Sequence, residues 1–523
     1  MTALANIKWP RVGKVTSPAT ASIILLIGLL AAYGIHQWIM LSAEAAPPGP
    51  DGGNWLALSM ELFGDHAKAA DVVYPPLFLV LLRGALWVLP PLTALKVLGL
   101  VTAVCLSIPA YLLLRTALNP WLAALLAAAV ATIDYHNEIF AWGGYPQLLG
   151  AAFLVLSIYL LLQWLNTGRA WFLVGFALCT VATVATHTLA AIQLGLALGV
   201  LLLVRVYENR GCHSLLPRPR LTRPLVFWLV AAGILLGLVA PIYLRTATLL
   251  AGNPFNPQQF DLMGTLGNPS SWQGGLYLWL AIAVVGGAFA IWAVLSRRRL
   301  LLAQAAVALG ASSILTFAAT HEIRSAHLLQ VGLLLSIGVV VALIDKETFS
   351  WLAKLGRRAI RGLTIALIAI VLSGVLAFGG QRAERAFNHY QVVDGPVLAA
   401  LDWLQSHGAP GDRVIANETP RGGILGWWVE GYARLPTYLA VDSRWLAFRD
   451  ERAQAEVAHR FLAQDAEPEE LRRLAETYQI KFLLLHRGTL QNPLTDLFKA
   501  GFEISFANET VVILTYEGAG PGR

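Results

Sequence analysis

Apolar runs of membrane length follow one another from about residue 20 to residue 379, and beyond them the chain becomes an ordinary mixed sequence. With rough edges the runs are 20–42, 75–90, 94–114, 120–134, 147–165, 170–187, 188–206, 225–247, 275–296, 300–319, 325–344 and 362–379. A bilayer core asks for about 20 apolar residues per helix. The run at 75–90 is short for this. It begins Tyr74-Pro75-Pro76, contains Arg83 and closes on Pro90-Pro91, so it predicts a helix lying in or near the interface. Eleven spans remain.

Basic residues give the direction, because short loops rich in Lys and Arg stay in the cytoplasm. With the amino terminus (Lys8, Arg11, Lys14) inside and eleven spans, the inner loops collect Arg115; Arg169; Arg205, Arg210, Arg218, Arg220 and Arg223; Arg297 to Arg299; and Lys346, Lys354, Arg357, Arg358 and Arg361. The short outer loops hold little beyond Arg245 and Arg324. A span at 75–90 would turn every later cluster outward. The expected protein is therefore a polytopic α-helical membrane protein of about 11 spans (residues 1–380), with a C-terminal extracytoplasmic α/β domain (residues 381–523). It is expected in the plasma or inner membrane, with no cleavable signal peptide.

Composition agrees: 57% hydrophobic and 13% charged residues exclude a single water-soluble globule. The net charge of +7 is mostly the inner-loop bias and carries no implication of nucleic-acid binding. Cys105 and Cys179 fall in spans and Cys212 in an inner loop, which leaves the outer domain without a disulfide.

The candidate chemistry gathers at the outer boundary. The first outer loop (43–93) is long for a compact membrane protein, and Asp51 ends its rigid Pro/Gly stretch directly after the first span. The segment Asp134-Tyr-His136-Asn-Glu138, followed by Trp142-Gly143-Gly144-Tyr145-Pro146, places three ionisable groups at alternate positions. Extended backbone would turn them to one side, an arrangement suited to a divalent cation or a general base. The structural alternative for Asp51 and Asp134 is helix capping. His187 lies between two spans, and His321, Glu322 and Arg324 share a turn between two more. Ionisable groups there tend to line cavities or pathways. Arg324 is the best candidate to hold a phosphate bidentately, with Arg245 a second. For Arg245, snorkelling to the interface is the simpler account.

This layout resembles the GT-C superfamily of membrane glycosyltransferases, whose membrane module is of the oligosaccharyltransferase and protein O-mannosyltransferase type. The matching features are Asp51 after the first span, the Tyr74-Pro75-Pro76-Leu77 juxtamembrane helix, the spaced acids Asp134 and Glu138, and a C-terminal extracytoplasmic domain. They cover about residues 20–345. Asp51-Gly52-Gly53 stands where such enzymes commonly carry an Asp-Glu pair. The resemblance implies a polyprenyl-phosphate-linked sugar donor, a glycan, lipid or protein acceptor, and inversion at the anomeric carbon. It also implies Asp51 as general base, and Asp134 and Glu138 (with His136) positioning the acceptor or a divalent cation such as Mg or Mn. Arg324, with Tyr74, His187, His321 and Arg245 nearby, would bind the donor. Some members need a metal and others do not.

In the outer part, 396–407, 451–463 and 468–478 read as helices, 413–416 and 481–486 as strands, and 501–516 as a hairpin. The segment Arg421-Gly-Gly-Ile-Leu-Gly-Trp427-Trp428-Val-Glu430-Gly-Tyr432 suits either sugar stacking or packing against the membrane module. Two other classes compete with a transferase. A lipid or polysaccharide transporter would place polar groups near mid-membrane. A non-catalytic scaffold presenting the outer domain would lose nothing on replacement of Asp51.

Overall fold

The computed structural model describes residues 17–64, 74–208, 223–251, 279, 281–320, 323–345, 356–439, 449–463, 466–490 and 494–518. It is a mostly helical membrane protein with a small C-terminal sheet. α1 (Pro18–Ser42) is started by Ser17, whose side chain accepts from the Thr20 amide, and by Pro18 in the first turn, where a proline lacks nothing. α2 (Asp51–Glu61) and α3 (Leu77–Leu86) follow. At ten residues, α3 is about 15 Å long, half of what a bilayer core needs.

α4 (Pro91–Cys105) and α5 (Ser107–Leu114) join at Leu106 into one span. The expected run at 120–134 divides into α6 (Pro120–Val130) and α7 (Asp134–Trp142). α8 (Tyr145–Thr167), α9 (Ala170–Thr186), α10 (Thr188–Glu208) and α11 (Arg223–Ala251) continue the bundle. Later helices are Leu301–Thr320, Ala326–Asp345 and Gly356–Tyr390. The last runs unbroken through the polar stretch after residue 380.

Seven helices among the described residues are long and apolar enough to cross a membrane. Shorter apolar helices at Pro120–Val130, Ala170–Thr186, Ala283–Leu295 and Ile365–Ala377 stand where the sequence places further spans. Position in the bundle follows burial. In Ala326–Ile344, 89% of the apolar window is buried and the helix is central; in α1 the share is 11%. α1 accordingly presents Ile24, Ile27, Ile35 and Ile39 outward, as a lipid-facing helix does.

After Tyr390 come the helix Gly395–His407 and a five-stranded sheet of order β2-β1-β3-β5-β4. The strands are β1 (Arg413–Ala416), β2 (Thr437–Leu439), β3 (Ile480–His486), β4 (Phe502–Ala507) and β5 (Val511–Tyr516). β2, β1 and β3 are parallel, while β5 and β4 add an antiparallel hairpin. The helices Arg449–Ala463 and Pro468–Tyr478 supply the crossover that parallel strands need.

β3 is apolar at nearly every position because both faces of the sheet are covered. Leu483 and Leu485 enter one core with Phe461 and Leu471 of the crossover helices. Phe482 and Leu484 enter the other, which continues through Trp428 and Val429 to Trp55 and Leu56 of α2, Phe78 of α3 and Ile139 of α7. One apolar core thus joins the sheet to α2, α3 and α7 of the helical part.

The join is close at the Gly52-Gly53 pair. A Cβ on Gly53 would stand 2.6 Å from the Trp427 carbonyl carbon and the Trp428 amide nitrogen, and one on Gly52 would stand 2.9 Å from the Trp428 ring. The glycines let α2 lie directly on the backbone of the short helical segment 426–433. Gly53→Ala gains up to about 1 kcal/mol of helix propensity but drives a methyl into backbone atoms that have nowhere to move. It should lower stability by about 1–3 kcal/mol, read as a lower midpoint of thermal unfolding by tryptophan fluorescence.

Candidate functional site

Asp51 is the first residue of α2, where a carboxylate meets the positive end of the helix dipole. Its surroundings come from far along the chain. α7 ends on Gly143 at φ 92°, a left-handed cap that glycine adopts freely. A Cβ there would come within 3.2 Å of the Asp51 Cβ. Four residues further along α2, Trp55 donates from Nε1 to the Gly143 carbonyl at 2.7 Å. The Gly49 amide, just before α2, donates to the Tyr390 carbonyl at 2.8 Å. The carboxylate is held between the end of α7 and the end of the last long helix.

Opposite it stands Arg324, in a short 3-10 turn (Ile323–Ser325) between two spans. Its carbonyl accepts from Gln147 Nε2 at 3.2 Å, and the neighbouring Ser325 carbonyl accepts from Gln193 Nε2 at 3.4 Å. The guanidinium lies over the Trp142 ring, 5.5 Å from its centroid, a placement that favours a cation. Its charge reaches Asp51, Tyr74, His187 and Tyr390. Burial lifts the Asp51 carboxyl to about 6, and Arg324 acts against that rise. The Tyr74 hydroxyl is held well above its usual value, first by burial and then by the Asp51 charge. Its ring sits 4.8 Å from Trp55 and 6.4 Å from His187, centroid to centroid.

Glu138 closes the group: its Oε1 accepts from the Tyr390 hydroxyl at 3.3 Å. Burial, and then the Glu138 charge, keep that hydroxyl protonated well above its usual range. Asp51, Tyr74, Glu138, His187, Arg324 and Tyr390 therefore share one electrostatic site.

The other members of the expected acidic segment go elsewhere. Residues 134–142 form a helix, not extended chain, so alternate positions diverge by about 200°. Asp134 Oδ1 accepts from Gln330 Nε2 at 2.8 Å and Trp279 Nε1 at 3.1 Å. His136 contacts the Ala103 carbonyl through Nε2 at 2.7 Å and His327 Nε2 through Nδ1 at 3.0 Å. Because a carbonyl only accepts, His136 carries its proton on Nε2 and receives one from His327.

These are pairings of buried polar groups inside a bundle. The metal cluster expected of Asp134, His136 and Glu138 is not formed. Among the described residues no three His, Cys, Asp or Glu side chains gather to hold an ion. Of the two readings of the Trp427-Trp428 segment, sugar stacking or packing against the membrane module, Trp428 takes the second, fully buried under α2, while Trp427 is half-buried. His321 and the Arg245 side chain lie outside the described residues.

No protein-family description matches the chain, and no curated protein does. Solved structures do. The apo oligosaccharyltransferase of Archaeoglobus fulgidus aligns over 88% of this chain and 69% of its own, at 11% identity and a TM-score of 0.55. The same archaeal enzyme with an inhibitory peptide and a dolichol-phosphate gives 0.54 at the same identity and coverage. ArnT from Cupriavidus metallidurans, in its apo state, aligns over 97% of this chain and all of its own, at 15% identity and 0.53.

The chain has the GT-C fold. Tyr390, Trp142 and Gln147 contact this group through Glu138, Arg324 and the Arg324 carbonyl, and the sequence pattern did not assign them to it. Trp142 lies in the Gly-Gly segment already marked. Tyr390 follows a polar stretch with no local signal, and its bonds to Glu138 and Gly49 identify it.

Proposed function

We propose that the protein is an inverting glycosyltransferase that moves a sugar from a polyprenyl-phosphate donor to an acceptor hydroxyl, with Asp51 as general base. The observation carrying this is a carboxyl lifted to about 6 facing a guanidinium, at one end of a GT-C bundle. A base with that value is ionised at neutral pH yet more basic than an ordinary carboxylate.

Asp51 takes the acceptor's proton as the acceptor oxygen attacks the anomeric carbon. The bond to the phosphate oxygen breaks on the opposite face, and its electron pair leaves with the polyprenyl phosphate. Arg324 offsets the charge that grows there. Tyr390, fixed by Glu138, orients the reacting groups, and Tyr74 and His187 line the donor side. The archaeal neighbour solved with a dolichol-phosphate supports a lipid-linked donor. That neighbour has also been solved with zinc and sulfate. The described residues here do not fit a divalent cation, which needs several oxygen ligands together, so no step is assigned to one.

Basic residues occupy the other end of the bundle: Arg115 after α5, Arg169 before α9 and Arg297 to Arg299 before Leu301. The positive-inside tendency makes that end cytoplasmic and the Asp51 end extracytoplasmic.

The test is release of polyprenyl phosphate from polyprenyl-phosphate sugars by the purified protein in lipid, followed across pH. Since the base must be unprotonated, kcat/KM should be level above about pH 6 and fall about tenfold per unit below it. A profile flat from pH 4.5 to 8, or no release with any such donor, defeats the reading.

A further inference from the structure

The end of the bundle away from Asp51 holds a second buried polar cluster. α10 starts beside His187 and runs 21 residues to Glu208, which puts its last turn about 30 Å from the site just described. Glu208 and Gln304 are 4% and 0% exposed, and Gln304 Nε2 donates to Glu208 Oε2 at 2.6 Å. Glu208 Oε1, Gln304 Oε1, and the Nε and Nη2 of Arg205 are all buried with no hydrogen-bond partner.

Arg205 and Glu208 are three apart on one helix and so lie on the same face. Buried polar atoms without partners are uncommon, and here two donors and two acceptors occur where the last turn of α10 meets the start of the helix Leu301–Thr320.

The neighbouring turn is built to bring more positive charge to this spot. Arg297 and Arg299 adopt φ of 52° and 49°, a left-handed backbone that only a constraining environment imposes on arginine. Arg297 lies over the Tyr207 ring at 5.4 Å, and the Tyr207 hydroxyl donates to the Leu295 carbonyl at 3.1 Å. Arg298 lies over Trp292 at 5.5 Å. The charges of Glu208 and then of Arg299 act on Arg205, in opposite directions.

We propose that this cluster binds a phosphate ester whose organic part carries hydroxyl groups. Phosphate oxygens accept from the Arg205 fork, and hydroxyls donate to Glu208 Oε1 and Gln304 Oε1. Bare phosphate would leave both acceptors unmatched and face the Glu208 charge; a neutral polyol would leave the guanidinium unmatched. Two sources offer this chemistry: the headgroup of a glycerol-bearing anionic lipid, and a soluble glycerol or sugar phosphate.

The test uses the full chain in detergent, with native mass spectrometry and thermal unfolding as readouts. The probes are phosphatidylglycerol, phosphatidylethanol (the same charge without headgroup hydroxyls), phosphatidylcholine and sn-glycerol 3-phosphate. Wild-type protein should hold phosphatidylglycerol about tenfold more tightly than phosphatidylethanol, the worth of one charge-assisted hydrogen bond. Glu208→Gln should shrink that preference, and Arg205→Lys should weaken both anionic lipids. Binding of sn-glycerol 3-phosphate in place of the lipid keeps the site and assigns it to a soluble ester. Equal binding of the two anionic lipids with no response to sn-glycerol 3-phosphate overturns the proposal, and this comparison needs no variant to fold.

Discussion

Asp51→Asn should lower turnover by about 10²–10⁴-fold while leaving donor binding and the unfolding midpoint close to wild type. Asparagine keeps the shape and the place at the start of α2 but takes no proton. Sparing the fold is reasonable, since the anchors of α2 are Trp55 on Gly143 and the glycine contact with the helical segment 426–433. Single-turnover release of polyprenyl phosphate separates the outcomes. Retained turnover in the folded variant would remove Asp51 from the role of general base. Asp51→Glu adds one methylene beside the Gly143 cap, where the space is already close, and should recover only a small part of the rate.

Arg324→Met should cost about 10²–10³-fold in turnover through loss of charge stabilisation on the leaving phosphate. It should also do something a purely structural arginine would not. Arg324 holds the Asp51 carboxyl below where burial alone would put it. Removing the cation lets that value rise, so the acid limb of the kcat/KM profile should move to higher pH. A loss of rate with an unmoved limb would separate Arg324 from Asp51. Arg324→Lys restores the charge without the planar fork; it should return the limb toward its wild-type position while recovering turnover only in part.

The layout was legible because hydrophobic length and basic-loop bias are strong, local signals. The proline brackets at Tyr74-Pro75-Pro76 and Pro90-Pro91 bound the ten-residue helix α3. Outer strands β1 and β3 and the final hairpin announced themselves by β-branched and apolar runs. β2, three residues long, offered no such run.

The site was legible in part. Asp51, Tyr74, His187, Glu138 and Arg324 lie where ionisable groups gather at a membrane boundary, and the fold brings them together. The error was one of period: reading 134–138 as extended sent three side chains to one place, where a helix sends Glu138 to Tyr390, Asp134 to Gln330 and His136 to His327. Nothing local distinguishes these cases, because the helix is stabilised by tertiary pairing of its polar groups. The Gly52-Gly53 pair was similarly mute. Its purpose is visible only against Trp427 and Trp428, far along the chain.

The bond between Glu138 and Tyr390 joins residues 252 positions apart. Asp51 is made well before Tyr390, which follows only at the end of the last long helix (Gly356–Tyr390). Since chains are made from the amino terminus onward, the pocket stays incomplete through most of synthesis. If Asp51 is the base proposed above, a nascent chain already embedded in the bilayer holds that carboxylate without the groups that would aim it until the last long helix is in place.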